Sequence, residues 1–236
     1  MATSNALSTI PDWVSEWFEQ IEPASFGDLD TDPSKAAVFS TDMTVGFCIE
    51  GPLASERVGA LMEPVRAFFE RAFEAGIREF MLTQDTHDPN TPEFEAWPPH
   101  CMAGTGESLT VPALSSLPFA DHFTIIRKNS LAPHQNTDFD RWLDDRPELR
   151  TAIVVGDCTD LCVYQLAMHL RTRANAKNIQ GFEVIVPVDC VDTFDLPPNV
   201  AGPSGAFAHP GDFYHQVFLH HMALNGVRVV SSITAS

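Results

Sequence analysis

Along this chain, apolar and polar positions follow two alternating periods. Six short apolar runs have the length and near-continuous apolarity of strands buried on both faces: "KAAVFSTD" (35–42), "REFMLTQD" (78–85), "HFTIIRKN" (122–129), "TAIVVGD" (151–157), "FEVIVPVD" (182–189) and "VRVVSSI" (227–233). Helical patterns lie between them. Over 54–75, Val58, Leu61, Met62, Val65, Phe68, Phe69 and Phe73 share one broad face, and Gly76 follows as a stop signal. Residues 160–173 and 211–225 also read as helices, the latter closed by Asn225-Gly226, and 138–145 as a shorter one.

Strands alternating with helices imply parallel pairing through right-handed crossovers, with both sheet faces covered. The expected fold is α/β: a single doubly wound, mostly parallel six-stranded sheet in the order 3-2-1-4-5-6, with helices on both faces. This domain spans 35–236. Residues 1–34 form an N-terminal extension, in which Trp13, Val14, Trp17 and Ile21 mark one face of a short amphipathic helix. That face is expected to pack on the main body or on another subunit. Pro and Gly gather in 86–118 and 187–211, which read as surface or functional loops.

Composition narrows the partners. A net charge of −18 argues against nucleic acid and anionic membrane surfaces. No run approaches the roughly 18–20 apolar residues of a membrane span. The N-terminal stretch lacks the basic region and apolar core of a secretory signal. Cys48, Cys101, Cys158, Cys162 and Cys190 are odd in number and scattered, which favours reduced thiols in a cytoplasmic protein.

The chemistry gathers at strand ends. In a doubly wound sheet the ligand sits beyond the carboxyl ends of the strands, where the strand order reverses. Asp42 ends the first run, Asp85 and His87 the second, Lys128 the third, and Cys162 follows the fourth. In the order 3-2-1-4-5-6, Asp42 and Cys162 become neighbours and Lys128 approaches from the other side. Cys162 falls in the first turn of a helix, with Thr159 or Asp160 as the expected N-cap. There the helix dipole would lower the thiol pKa from about 8.5. The window by itself fits a small buried apolar residue equally well. Asp42 could serve as a base or cap a turn, and Lys128 could be buried or reach to the surface. Asp85, His87 and His100, with Glu93 between them, offer a donor set suited to Zn²⁺, Fe²⁺ or Mn²⁺.

The motifs "DMTVGFC" (42–48), "DTHDPNTPEFEAWPPHCMAGTGES" (85–108), "RKNSLAPHQNTDF" (127–139) and "VVGDCTDLCV" (154–163) together resemble the isochorismatase-like cysteine hydrolases, and among them the metal-dependent nicotinamidases. The resemblance covers about residues 35–233. It implies Asp42, Lys128 and Cys162 as a catalytic triad. It also implies Asp85, His87 and His100 as ligands of one divalent metal ion, Zn²⁺ before Fe²⁺ or Mn²⁺, with Glu93 as the fourth. A cis peptide between Asp157 and Cys158 is implied, turning the N–H of Cys158 toward an oxyanion beside that of Cys162. Phe47 and Trp97 match positions that sandwich a pyridine ring.

The reaction implied is hydrolysis of a small carboxamide through a cysteine thioester, with nicotinamide as the leading substrate. Another small amide or ureido compound would suit the same triad. A vinyl-ether hydrolase would need neither thiol nor metal, and a non-enzymatic relative would be expected to lack a triad residue. Homo-oligomers are common among such proteins. Two features depart from the usual pattern: Val45 and Gly46 replace a polar pair, and the segment 195–211 is long. His209, His215, His220 and His221 read as surface and core residues of a helical segment rather than as a second metal site.

Overall fold

The run Ala36–Thr41 is buried at every position, as expected of a strand with neighbours on both sides and helices above and below. It is the second of nine strands in the computed structural model, which describes residues 10–29 and 32–235. In chain order these are β1 (Ala24–Ser25), β2 (Ala36–Thr41), β3 (Glu79–Asp85), β4 (Phe123–Lys128), β5 (Thr151–Asp157), β6 (Glu183–Pro187), β7 (Val191–Asp192), β8 (Arg228–Val230) and β9 (Ile233–Thr234). The main sheet runs β4-β3-β2-β5-β6-β8 and is parallel throughout. This is the expected order, and it reverses between β2 and β5.

The main sheet has seven strands instead of six. Pro187 ends β6, a short turn over Val188–Cys190 redirects the chain, and β7 returns to pair with Gly156 and Asp157 at the tip of β5. The run 182–189 is therefore broken where proline withdraws its N–H. A separate two-stranded ribbon joins β1 to β9, with Ala24 beside Ile233.

Among the described residues, nine α-helices accompany the strands: α1 (Asp12–Glu19), α2 (Val45–Cys48), α3 (Glu56–Gly59), α4 (Met62–Glu74), α5 (Pro112–Ser115), α6 (Phe139–Asp144), α7 (Cys162–Ala176), α8 (Pro198–Ser204) and α9 (Gly211–Leu224). The pattern over 54–75 thus forms two helices. Pro64 stands in the first turn of α4, where an N–H has no helical partner to lose. Residues alternate strictly between faces. Val38, Ile153, Val155 and Phe80 pack with Phe68 and Phe69 of α4, while Phe39, Ala152, Val154 and Met81 pack with α6, α7 and α9. Burying one such Phe fully contributes about 1.5–3 kcal/mol.

α1 lies on α9, where Trp13 and Trp17 set their rings edge-on to His220 at 5.1 and 5.0 Å. Val14 is its buried residue, whereas Trp13 remains 59% exposed, and Ile21 lies beyond the helix end. The long segment 195–211 is more than a loop, since it contains α8 and is closed by a backbone bridge between Leu196 and His209. Among the described residues no helix is long and apolar enough to cross a membrane.

Candidate active site

Asp42 stands one residue past β2, in a left-handed conformation (φ 55°) with its N–H on the Thr83 carbonyl at 2.9 Å. Its Oδ1 accepts from the Asp85 N–H at 2.8 Å, and its Oδ2 meets Lys128 Nζ at 2.8 Å. Lys128, the last residue of β4, is buried, so the option of a surface lysine does not apply. Its ammonium also reaches Asp85 Oδ1 at 2.5 Å and Cys162 Sγ at 3.4 Å. One oxygen each from Asp42 and Asp85 and the sulfur of Cys162 all lie within 4.8 Å of one another. The Lys128 ammonium touches all three, so the positive charge of this cluster is supplied by the chain itself.

Cys162 opens α7, so its N–H is one of the first-turn donors that no helical carbonyl can take. Neither Thr159 nor Asp160 caps this helix; Leu161 holds the cap position without a side-chain bond. Thr159 is turned instead to His215 Nδ1 at 2.9 Å, and Asp160 accepts from Thr193 Oγ1 at 2.6 Å. The Asp157–Cys158 peptide is cis. Gly156 just before it permits close strand packing, since a Cβ there would lie 2.1 Å from the Thr41 carbonyl oxygen.

The lowering of the Cys162 pKa expected from the helix dipole is opposed by its surroundings. Burial, then the charge of Asp42, pushes the Cys162 thiol well above its ordinary range, against the pull of Lys128. Burial and Asp85 also raise Asp42, while Lys128 opposes them. For Lys128, burial works against the ammonium, but Asp42 and Asp85 overcome it and hold the group well above the usual lysine range. The helix dipole at Cys162 is outweighed by two neighbouring carboxylates and the loss of water. Burial and the two carboxylates thus favour the thiol form of Cys162, while the contact with Lys128 opposes them.

A second cluster shares Asp85. Its Oδ2 faces His87 Nε2 at 3.4 Å and His100 Nε2 at 3.7 Å, and Glu93 Oε1 lies 3.7 Å from His87 Nε2. One donor atom from each of the four residues falls within 4.8 Å of the others. His100 Nδ1 donates to the Pro98 carbonyl at 2.8 Å, which leaves Nε2 as its lone-pair atom. His87 Nδ1 meets Asn129 Oδ1 at 3.2 Å, and that amide is itself oriented by Asp88. His87 Nε2 and Glu93 Oε1 are buried with no hydrogen-bond partner. Burial disfavours the charged form of His87, yet Asp85 and Glu93 outweigh it and raise the ring above its ordinary value. Two imidazole nitrogens with engaged far sides converge with two carboxylates, and the unpartnered His87 Nε2 and Glu93 Oε1 are among them, a donor set that fits a divalent metal ion.

Of the expected ring contacts, Phe47, on α2, has its ring centroid 5.5 Å from that of His100, and Trp97 meets Phe194 in a T-shaped pair with centroids 6.0 Å apart. Asn129 and Phe194 were not singled out by the sequence pattern. The departure at Gly46 has a steric basis: a Cβ there would lie 2.5 Å from Cys101 Sγ, so any side chain would displace the residue next to His100.

Residues 36–234 match the family model of the isochorismatase domain. The chain is 32% identical over 226 residues to nicotinamidase 1 of Arabidopsis thaliana, covering 85% of this chain and 87% of that one. The chain therefore belongs to the isochorismatase family. Among solved structures, the nicotinamidase of Bacillus subtilis superposes with a TM-score of 0.64 at 23% identity, covering 83% of this chain and 99% of that chain. The pyrazinamidase of Pyrococcus horikoshii, solved in complex with zinc, gives 0.62 at 21% identity, over 83% and 98%. At these identities the two structures speak for the fold.

Proposed function

We propose that this protein hydrolyses nicotinamide to nicotinate and ammonia through a thioester on Cys162. The observation that carries the reading is the contact of the Lys128 ammonium with both Asp42 Oδ2 and Cys162 Sγ. Asp42 is the base. The burial that raises its pKa also makes it a stronger base toward the thiol whose proton it takes. Lys128 holds the charge of the cluster as it moves from carboxylate to sulfur. The thiolate attacks the carboxamide carbon, and the N–H groups of Cys158 and Cys162 receive the oxyanion. Loss of one such donor typically costs on the order of 10²–10³ in rate. Asp42 returns its proton to the leaving ammonia. Water, deprotonated by Asp42, then attacks the thioester carbon and frees the acid and the Cys162 thiol.

Asp85, His87, Glu93 and His100 would hold the metal, zinc being the ion bound in the Pyrococcus relative. When bound, it supplies a Lewis-acid anchor for a ring nitrogen or a water and orients what it holds. Phe47 and Trp97 would flank the ring. The enzyme is proposed to work as a cytoplasmic homo-oligomer.

Ammonia release with purified protein tests this. Nicotinamide is expected to be turned over, with Cys162→Ala inactive; an active Cys162→Ala would overturn the mechanism, and a wild type inert on nicotinamide would overturn the substrate.

A further inference from the structure

The chain after β7 joins Asp160 in a cluster that the proposed reaction leaves unused. Asp160, in the loop between Cys158 and Cys162, is 8% exposed. Its Oδ1 accepts from Thr193 Oγ1 at 2.6 Å, and its Oδ2 faces His209 Nε2 at 2.8 Å. The other ring nitrogen of His209, Nδ1, donates to the Phe194 carbonyl at 2.9 Å. The His209 ring stacks on Phe194 with centroids 3.9 Å apart and planes 15° apart, and on Tyr214 at 4.4 Å and 14°. Phe194 in turn meets Trp97 edge-on, at 81°. Backbone bonds of 2.8 Å run both ways between Leu196 and His209, closing the base of the excursion that bears α8. A single imidazole thus joins the nucleophile loop, the excursion and the aromatic pair.

We infer that His209 is a positioning residue for substrate recognition: clamped to Asp160, it fixes Phe194 behind Trp97 and so sets the aromatic wall of the amide pocket. This rests on the proposed function, in which Trp97 flanks the ring of the amide. The hydrogen bonds and ring contacts of His209 go to Asp160, Phe194, Leu196 and Tyr214 rather than to Cys162 or Asp42, so its effect passes through Phe194. A wall that meets substrate and transition state alike changes KM and spares kcat. The size of one aromatic contact sets the expected change at roughly three- to tenfold.

The test is a double-mutant cycle of His209→Ala and Phe194→Leu, with kcat, KM and the unfolding midpoint measured for each. Each single variant is expected to raise KM roughly three- to tenfold with kcat held within about twofold, and the double variant to be no worse than the poorer single one. An unchanged KM in His209→Ala, a kcat that falls with KM unmoved, or single effects that multiply in the double variant overturns the inference. Should His209→Ala fail to fold, His209→Gln, which can still donate to Asp160 but removes the stack, replaces it under the same criteria. The cycle is run on whichever amide the wild type turns over in a panel of ring and ring-free carboxamides. A wild type inactive on nicotinamide then counts against the substrate, while the cycle still decides the role of His209.

Discussion

Asp85 and Lys128 face each other at 2.5 Å, and this contact joins the two halves of the site. One carboxylate oxygen receives the ammonium that serves Cys162, while the other turns toward His87 and His100. Burial alone would raise Asp85, but Lys128 overcomes it and holds the carboxyl far below the usual range, so the anion is secured for both clusters.

Asp85→Asn is therefore expected to damage metal retention and catalysis together. Metal affinity should fall by on the order of 10–100-fold or more, with kcat falling as well. Elemental analysis of the purified variant, beside an ammonia assay, checks both. Full metal content with activity lost would confine Asp85 to the Lys128 side.

The two neighbouring cysteines should part company. Cys162→Ala is expected to lower kcat by on the order of 10⁴ or more, as loss of a nucleophile does. Cys158→Ala keeps the backbone N–H and should stay within about threefold of wild type. Because burial and the charge of Asp42 raise the Cys162 thiol above its ordinary range, iodoacetamide should alkylate substrate-free Cys162 at pH 7 more slowly than free cysteine. Fast alkylation at that pH would restore the thiolate expectation.

Asp157 sits in the same region with its Oδ2 buried and unpartnered. Burial, then the charge of Asp42, raises its carboxyl well above the ordinary 3.8. Between the unfolded and the raised folded value, the folded chain holds a proton on Asp157 that the unfolded chain releases. Stability from this group is complete below the unfolded value and is lost as pH rises toward the folded one. Asp157→Asn should thus unfold at a higher temperature than wild type at pH 8, with the difference shrinking toward pH 4. Metal-loaded thermal melts across that range decide it; a constant difference would show that the carboxyl does not titrate.

Gly46→Ala should fail for a steric reason with a specific remedy. The new methyl would press on Cys101 Sγ and, through it, on the chain at His100. Metal content and activity should drop together, and Cys101→Ala in the same chain should recover both. A double variant as poor as Gly46→Ala alone would place the clash with Glu107 instead, whose Cβ lies at 3.0 Å.

Much of this was legible from local pattern. The strand ends at Asp42, Asp85 and Lys128 follow from apolar runs that stop at a charge, and the doubly wound class follows from parallel pairing with right-handed crossovers, the order 3-2-1-4-5-6 being the common one within that class. What escaped depends on partners remote in the chain. β7 has two residues and no periodicity to detect. Thr159 and Asp160 look like caps, but His215, Thr193 and His209 claim them from beyond the next strand. The Cys162 thiol is raised by burial and by Asp42 and Asp85, which no window around the cysteine contains. Asn129 adjoins Lys128 in a motif that points to the site, yet its bond to His87 has no local signature.

The parallel register at the centre of the sheet also governs assembly. β2 finds its partner in β5, with Ala36 beside Thr151, and the β1–β9 ribbon sets Ala24 beside Ile233. No hairpin can bring these neighbours together early, so the chain from β2 through β5, more than half of the polypeptide, must be present before Asp42 and Cys162 can meet. Refolding from denaturant is accordingly expected to be slow, and catalytic competence should emerge among its last events.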